Sequence, residues 1–307
     1  MLHQNNVHKE SVIVFGANGF LGSVVTRRLH ESGFKVHAVI RPEADTSRLC
    51  SLKDLNISKI KPESWPQLVV SNAPETVICA QWEGVSKQDR DNLELQMTNI
   101  EPILNVAIAA KESRVNSFIC FGSQAEAKES IEIVEEEFYV SGESAYGGVK
   151  AKLHAQLMSM LEDSDCRFVW ARVFSVYGPS DFSDSLLMKL FESEIKQKEL
   201  FISNPSKFWS YLYEDDFASA VEEIVKNSNI ASTVNVGSPV FNEIREIVAI
   251  WQGHSLNDHR NYQPSQANVG FFPRLEKLQS IGWNPTVSLV EGIRRTRKAF
   301  QDRANSK

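Results

Sequence analysis

Three glycines near the start of the chain are the feature that most restricts its fold. Gly16, Gly19 and Gly22 follow residues 11–15, a short apolar run typical of a buried parallel strand. Glycines there allow a tight turn, close approach of the backbone to a phosphate, and close packing of the next helix. The spacing predicts a dinucleotide-binding turn made by Gly16, Asn18, Gly19, Phe20, Leu21 and Gly22. The alternative is a glycine-rich turn without a ligand.

Apolar runs and helical stretches alternate along most of the chain. Strands are predicted at residues 11–15, 35–40, 76–80, 117–121, 168–172 and 233–236. Helices are predicted after the glycines and at residues 91–112, 144–161 and 215–226. Such alternation indicates a parallel sheet covered by helices on both faces. We therefore predict an α/β protein, a doubly wound parallel-sheet Rossmann fold with a smaller, mainly helical C-terminal substrate lobe.

The last third of the chain has a different pattern, with helical patches at 185–196, 242–252 and 288–303 among loops rich in Pro and Asn. We expect a dinucleotide-binding domain at residues 1–177, to which residues 211–237 return. Residues 178–210 and 238–307 are expected to form the substrate-binding lobe. It would lie over the carboxyl edge of the sheet, where doubly wound proteins bind ligands.

Composition excludes several classes of protein. The net charge of −6 argues against nucleic-acid binding, which usually needs a basic face. No apolar run approaches the roughly 20 residues of a membrane span. The four cysteines are far apart and the histidines form no metal-binding motif, so we expect reduced thiols and no metal site. The polar N-terminus has no signal-peptide core, and a cytoplasmic protein is expected.

Tyr146 and Lys150 form a candidate proton-transfer pair. Their i, i+4 spacing in a predicted helix places them on one face, where the ammonium can stabilise a phenolate. Ser123 follows a predicted strand, which places its hydroxyl at the carboxyl edge of the sheet. A serine there can bond a substrate carbonyl while the tyrosine delivers or takes its proton. By itself, the tyrosine–lysine spacing occurs often by chance and more commonly marks an ordinary surface pair.

The end of the second strand bears on the choice of cofactor. An acidic residue at this position binds the ribose hydroxyls of NAD, whereas an arginine can neutralise the 2′-phosphate of NADP. The position falls on Arg41, and the first acidic residue after it is Glu43. The sequence therefore favours NADP(H), with NAD(H) possible. Alternatively, Arg41 is a solvated surface arginine.

In these motifs the chain resembles the extended short-chain dehydrogenase/reductases, the NAD(P)-dependent epimerase/dehydratase family acting mainly on nucleotide sugars. The resemblance extends over nearly the whole length. It rests on the glycine turn, Asn99, Ser123, the Tyr146–Lys150 motif, and three further segments at residues 172–179, 211–218 and 281–285.

The resemblance implies roles for individual residues. Tyr146 would be the general acid/base, Lys150 would tune it and bond the nicotinamide ribose, and Ser123 would polarise the reacting oxygen. Asn99 would support the active-site helix or a relay water. Ala80, Phe174 and Val176 would lie against the cofactor. A homodimer formed through a four-helix bundle is also implied.

Departures from the family pattern limit the reactions that we expect of this chain. Gln124 and Ala125 replace the acidic pair of sugar dehydratases, so dehydration is not expected. Ser175 replaces the usual asparagine at the substrate diphosphate, and Trp209 stands where many relatives have an arginine. Residues 56–67 lack the usual Gly-Asp contact with adenine. We therefore expect Trp82, Gln124, Ser175 and Trp209 to form a nonstandard substrate site.

Residues 122–126, with Trp82 upstream, are similar to a subgroup from bacterial surface-polysaccharide clusters. This similarity points to reduction or epimerisation at C4 of a deoxyhexose nucleotide. Gln124 and Glu126 would bond sugar hydroxyls or only cap a loop.

Three hypotheses follow: an NADPH-dependent 4-keto reductase, an epimerase with tightly held NAD, and a non-catalytic dinucleotide sensor. Two structural expectations accompany them. The stripe Leu93, Met97, Ile100 and Leu104 is predicted to be core, and residues 135–137 a solvated acidic loop.

Overall fold

A computed structural model describes residues 10–128, 132–137, 142–181, 185–254 and 269–305. The strands are β1 Ser11–Phe15, β2 Lys35–Ile40, β3 Asn56–Lys59, β4 Thr76–Cys79, β5 Ser117–Ser123, β6 Ile133–Val134, β7 Arg167–Val173, β8 Val176–Tyr177, β9 Phe208–Trp209, β10 Leu212–Tyr213, β11 Ser232–Val236, β12 Asn242–Glu243 and β13 Phe272–Pro273. The helices are α1 Phe20–Glu31, α2 Trp65–Asn72, α3 Leu93–Met97, α4 Ile100–Glu112, α5 Ala145–Leu161, α6 Leu186–Lys196, α7 Glu214–Lys226, α8 Ile244–Trp251, α9 Glu276–Ser280 and α10 Leu289–Asn305. Two 3-10 turns lie at Pro62–Ser64 and Gln124–Glu126.

Seven strands form one parallel sheet in the order β11-β7-β5-β4-β1-β2-β3. Two apolar clusters, one on each face, pack the sheet against its helices. The six predicted strands are all in this sheet, and the predicted doubly wound α/β fold is confirmed. Because the order reverses beside β1, a crevice opens at the carboxyl ends of β1 and β4, as in other folds of this kind.

β3 is a strand that the sequence did not reveal. Three of its four residues, Asn56–Lys59, are polar, and Ile57 alone is apolar and only partly buried, so no apolar run marks the strand. The strand pairs with β2 at the edge of the sheet, and these backbone hydrogen bonds stabilise it although it has no apolar run.

The predicted helix at 91–112 is two helices, α3 and α4, separated at Thr98 and Asn99. The apolar stripe expected to be core is divided in the same way. Ile100 is buried, but Leu93 is 58% exposed and Met97 37% exposed. The prediction was therefore wrong for the first two members of the stripe.

The acidic segment was also predicted incorrectly at its centre. Glu136 is buried and accepts hydrogen bonds from the backbone N–H groups of Asn235, at 3.2 Å, and Lys277, at 3.1 Å. Burial raises the pKa of this carboxyl. Glu136 thus connects the segment before α5 to β11 and α9 instead of lying in solvent.

Two further observations complete the fold. In the described part of the chain, no helix combines the length and apolar character needed to cross a bilayer. Cys79, Cys120 and Cys166 are buried free thiols and Cys50 is an exposed one. Burial raises the pKa of Cys120 to about 12, which makes it a poor nucleophile.

Candidate active site

The glycine turn brings the backbone of β1 and α1 into close contact. Gly16 has φ +77°, and its carbonyl accepts the N–H of Gly19 at 3.0 Å. A Cβ built on Gly22 would lie 2.1 Å from the oxygen of Gly16. Helix α1 then begins with no side-chain cap and no acidic residue in its first turn. The first-turn N–H groups and the helix dipole therefore suit an anion, and the turn fits a pyrophosphate.

The other residues expected at the cofactor border the same turn. The carbonyl of Asn18 accepts Arg48 Nη1 at 3.2 Å, and the N–H of Ala80 donates to Phe15 at 2.9 Å. Phe20 and Leu21 open α1 and are only partly buried. These positions line the carboxyl edge of β1 and β4.

Arg41 lies directly after β2 and is half-exposed. Its Nη1 is 3.3 Å from Oε2 of Glu83, which is also half-exposed and follows β4. No pattern in the sequence joins these residues, which lie far apart along the chain. Only the strand order, with β1 between β2 and β4, brings them together.

Tyr146 and Lys150 both lie on the buried side of α5. The ammonium of Lys150 donates to the carbonyl of Phe121 at 2.6 Å and lies 5.9 Å from the centre of the Tyr146 ring. The N–H of Tyr146 donates to the carbonyl of Arg90 at 2.8 Å. Both members of the pair are thus anchored to neighbouring backbone, one to β5 and the other to the loop before α3.

Trp82 packs against this pair. Its ring lies 3.8 Å from the Lys150 ammonium and meets the Tyr146 ring edge-on at 5.8 Å. Its indole N–H donates to Gln96 Oε1 at 2.7 Å. An aromatic face against an ammonium stabilises the charged form, so Trp82 also holds the lysine in place.

Ser123 ends β5 and begins the following 3-10 turn. Its Oγ accepts the N–H of Ala125 at 3.2 Å, and its own N–H donates to Glu126 Oε1 at 2.6 Å. The carbonyl of Ala125 lies so close to α5 that a Cβ on Gly147 would be 1.9 Å from it. The serine turn and the first turn of the tyrosine helix are therefore packed directly together.

Glu126 lies beneath this turn and faces away from any sugar site. It forms a buried ion pair with Arg172 at 3.2 Å, each side chain 1% exposed, and accepts the Trp170 indole N–H at 2.9 Å. Of the two roles weighed for Glu126, the structure supports the loop cap. Hydrogen bonding to a sugar hydroxyl is excluded because the carboxylate is enclosed.

Asn99 binds the loop after β4 through its side chain. Its Oδ1 accepts the N–H of Glu83 at 2.7 Å, and its Nδ2 donates to the carbonyl of Glu83 at 3.1 Å. Further donation to Gln96 at 3.1 Å accompanies the break between α3 and α4. These bonds join Asn99 to the loop after β4. Support of the tyrosine helix, one of the two roles that the resemblance implied, is not among them, and the role at a relay water stays a prediction.

Gln124 and Ser175 are directly bonded to each other. Gln124 Oε1 accepts the hydroxyl of Ser175 at 2.9 Å and its N–H at 3.1 Å. Phe174, immediately before, is fully buried and donates its N–H to Val236 at 2.8 Å. Val176 opens β8 and is only partly buried. The turn from β5 and the segment after β7 thus form one wall.

Trp209 lies on β9 and stacks on Tyr211 with ring centres 5.7 Å apart. The ammonium of Lys207 lies 5.1 Å from the Trp209 ring. The indole N–H is buried and finds no acceptor among the residues that the structure describes. A buried donor without a partner is costly, so a substrate oxygen is a suitable acceptor.

Together these residues bring a phenol, an ammonium and a hydroxyl to the end of β5, two strands from β1 and its glycine turn in the sheet. Within the described ranges, no three His, Cys, Asp or Glu side chains are arranged to hold a metal ion. Sequence reasoning missed Glu83, which pairs with Arg41, and Gln96, which bonds Trp82 and Gly84 in the loop after β4. The local sequence around such polar residues does not show which distant segment they will bond.

Comparison with known proteins agrees with this geometry. A family model for the NAD dependent epimerase/dehydratase family matches residues 12–237. A trifunctional UDP-glucose 4,6-dehydratase/UDP-4-keto-6-deoxy-D-glucose 3,5-epimerase/UDP-4-keto-L-rhamnose-reductase of Arabidopsis thaliana is 23% identical over 95% of this chain. The chain spans about half of that plant protein, 47%. The dTDP-6-deoxy-L-talose 4-dehydrogenase (NAD(+)) of Aggregatibacter actinomycetemcomitans is 22% identical over 72% of this chain and 82% of its own.

Solved structures share the fold. The UDP-glucose 4-epimerase of Thermus thermophilus, in complex with NAD, superposes with a TM-score of 0.79 at 20% identity. The alignment covers 95% of this chain and 99% of that one.

Proposed function

This chain belongs to the NAD dependent epimerase/dehydratase family, and from that premise we propose that it is an NADP(H)-dependent oxidoreductase. Its substrate would be a nucleotide-activated deoxyhexose, reduced at a 4-keto group. The observation that carries the proposal is the anchored pair on α5. Lys150 is fixed to Phe121 at 2.6 Å, beside the Tyr146 ring and next to the strand that ends at Ser123.

The proposed reaction assigns one task to each of these residues. NADPH, when bound, would supply the hydride for the keto carbon. Tyr146 gives its phenolic proton to the keto oxygen, and Ser123 donates a hydrogen bond to the same oxygen. The ammonium of Lys150 stabilises the phenolate left on Tyr146 and is held in place by Trp82.

Dehydratase chemistry is disfavoured by the surroundings of Ser123. Gln124, which follows it, carries no acid, and its amide oxygen is bonded to Ser175. Glu126 is the nearest carboxylate along the chain, but it is enclosed with Arg172 and Trp170. Neither residue can exchange a proton with a substrate, so the acidic pair that sugar dehydratases carry after this serine has no counterpart here.

Substrate binding is assigned to Trp82, Gln124, Ser175 and Trp209. The unpartnered indole N–H of Trp209, with Lys207 beside its ring, supports contact with an oxygen-rich, anionic group such as a nucleotide diphosphate. The segments 178–210 and 238–307 would supply this side of the site.

NADP(H) is the proposed preference because Arg41 follows β2, where an arginine can neutralise a 2′-phosphate. NAD(H) remains compatible, since the Thermus thermophilus relative was solved with NAD.

The test is to follow NADPH absorbance with a panel of 4-keto-6-deoxy nucleotide sugars. Consumption by the wild type and its loss in Tyr146→Phe are expected, with cofactor affinity and melting temperature unchanged in the variant. Consumption that survives Tyr146→Phe would contradict the assignment. A Gln124→Glu variant is the complementary control, because it puts an acid where dehydratases have one and should not restore elimination on its own.

Epimerisation is the second candidate, favoured by the fold shared with a UDP-glucose 4-epimerase bound to NAD. An epimerase would show no net change in NADPH but would convert one sugar epimer into the other. It would also keep NAD through gel filtration. These two results would replace the reductase assignment while leaving the roles of Tyr146 and Lys150 unchanged.

The oligomeric state is proposed to be a homodimer formed through α3 and α4. Leu93 and Met97, one turn apart on α3, are 58% and 37% exposed, and Ile108 on α4 is 41% exposed. A second copy would cover them. Leu93→Glu should shift sedimentation from dimer to monomer, whereas Val290→Glu, at a comparably exposed valine on α10, should not. A wild type that sediments as a monomer would refute the dimer.

A further inference from the structure

The ion pair between Arg41 and Glu83 spans the candidate cofactor crevice. Arg41 follows β2 and Glu83 follows β4, and β1 with its glycine turn lies between these two strands in the sheet. Arg41 Nη1 and Glu83 Oε2 are 3.3 Å apart. The pair therefore joins the two rims of the crevice above the turn that fits the pyrophosphate.

Glu83 is held in position from the buried side of its loop. Asn99 is 8% exposed and bonds both the N–H and the carbonyl of Glu83, at 2.7 and 3.1 Å. Gln96, fully buried, donates to the carbonyl of Gly84 at 2.8 Å. The backbone is thus fixed at Glu83 and Gly84, and this position puts the Glu83 carboxylate within reach of Arg41.

The position of Glu83 also affects how the end of β2 would recognise the ribose of a cofactor. Dinucleotide folds use either an acidic residue for the ribose hydroxyls or an arginine for the 2′-phosphate. In this chain Arg41 occupies the end of β2, and Glu83 brings a carboxylate to the same place from another strand. Both kinds of recognition group are thus present and are paired with each other.

We propose that Glu83 is a specificity-determining residue that sets the preference between NADP(H) and NAD(H) by acting as the counter-ion of Arg41. The inference rests on the proposed cofactor binding. A 2′-phosphate must share the guanidinium with Glu83 and is repelled by the carboxylate. NAD(H) has a free hydroxyl there, which can donate a hydrogen bond to the carboxylate. Glu83 therefore opposes the phosphate and tolerates the hydroxyl.

The experiment measures dissociation constants for NADPH and NADH by quenching of tryptophan fluorescence. The proteins are the wild type, Glu83→Gln, Arg41→Gln and the double variant. Glu83→Gln should tighten NADPH binding by about two- to fivefold relative to NADH, the upper part of the range that one exposed ion pair contributes. This gain in NADPH affinity should be smaller at higher salt, because the Arg41 and Glu83 side chains are only half-buried and salt screens their charges.

Two control variants test whether the effect depends on the pair of Arg41 and Glu83. In the double variant the gain from Glu83→Gln should fall to less than about twofold, because no guanidinium remains to be released. Glu43→Gln removes an equal charge from an exposed residue two positions after Arg41, and should leave the NADPH/NADH ratio within about twofold of the wild type.

The inference is overturned if Glu83→Gln shifts both cofactors equally, weakens NADPH, or has the same effect without Arg41. Those outcomes leave cofactor binding itself intact. A wild type that binds neither NADPH nor NADH would instead overturn the proposed function, and the two failures are therefore distinguishable.

Discussion

Replacement of Glu126 by alanine would leave the Arg172 guanidinium buried without its carboxylate. In the wild type the two side chains are each 1% exposed and 3.2 Å apart. Glu126 also accepts the N–H of Ser123 at 2.6 Å and the indole N–H of Trp170 at 2.9 Å. The change therefore leaves one charge and two neutral donors without their acceptor.

The expected cost can be worked out from these contacts. Breaking a buried ion pair by removing one partner costs about 3–5 kcal/mol. Arg172 keeps two acceptors, Asn235 Oδ1 at 3.2 Å and the carbonyl of Glu135 at 3.3 Å, which places the loss toward the lower end of that range. With an unfolding entropy of about 2.1 cal/mol/K per residue over 307 residues, a loss of about 3–4 kcal/mol lowers the melting temperature by roughly 5–6 °C.

The assay is urea unfolding followed by far-ultraviolet circular dichroism, with two controls. Glu192→Ala breaks an exposed pair with Lys196 at 2.8 Å, and should cost less than about 1 kcal/mol. The double variant Glu126→Met with Arg172→Met removes both charges and should recover much of the loss, because apolar replacement of a buried pair is often neutral. The reasoning is refuted if Glu126→Ala behaves like Glu192→Ala, or if the double variant is no more stable than the single one.

Three further changes have clear expected results. Gly147→Ala should destabilise the protein by about 1–3 kcal/mol, since its Cβ would lie 1.9 Å from the carbonyl of Ala125. Gly148→Ala, with nothing closer than 3.7 Å, should instead gain up to about 1 kcal/mol in the same thermal melts, and equal effects at both positions would contradict this. Burial lowers the pKa of His154 to about 3, so its neutral form contributes stability above a pH of about 6.5 that is lost as the pH falls toward 3. The difference in unfolding free energy between the wild type and His154→Gln should therefore change by about 1.4 kcal/mol per pH unit below that point, and a flat difference would refute it. Gly22→Ala should weaken NADPH and NADH binding alike by roughly tenfold in fluorescence titrations, and unchanged affinity would argue against the glycine turn as the cofactor cradle.

The fold was predictable because its main signals are local. The six predicted strands are mainly apolar runs, and those at 11–15, 117–121 and 233–236 are followed directly by a glycine. Gly33, with φ +89°, follows the end of α1 as expected. Prediction failed where a polar segment is stabilised by a neighbour distant in sequence. β3 exists because β2 pairs with it, and Glu136 is buried because β11 and α9 bring backbone donors to it. Neither effect is encoded in the residues around it.

The same distinction between local and distant interactions applies to the candidate site. The residue types that give chemistry were recognisable from spacing, as with the glycine turn and the pair on α5. The groups that hold them in place were not, because each bond joins segments that only the sheet brings together. Asn99 was expected to support the tyrosine helix, yet its side chain binds the backbone of Glu83.

Glu126 and Asn99 act on the site in a common way that explains why both are buried. Each is a buried polar side chain that bonds the backbone of a residue more exposed than itself. Glu126 accepts the N–H of Ser123, and Asn99 bonds both the N–H and the carbonyl of Glu83. A residue bound through its backbone keeps its side chain available for a ligand while losing little freedom on binding. The serine hydroxyl and the Glu83 carboxylate are therefore pre-positioned by independent anchors on two neighbouring strand ends. Loss of Asn99 should then disturb the choice of cofactor, and loss of Glu126 the proton-transfer side, without either change affecting the other function.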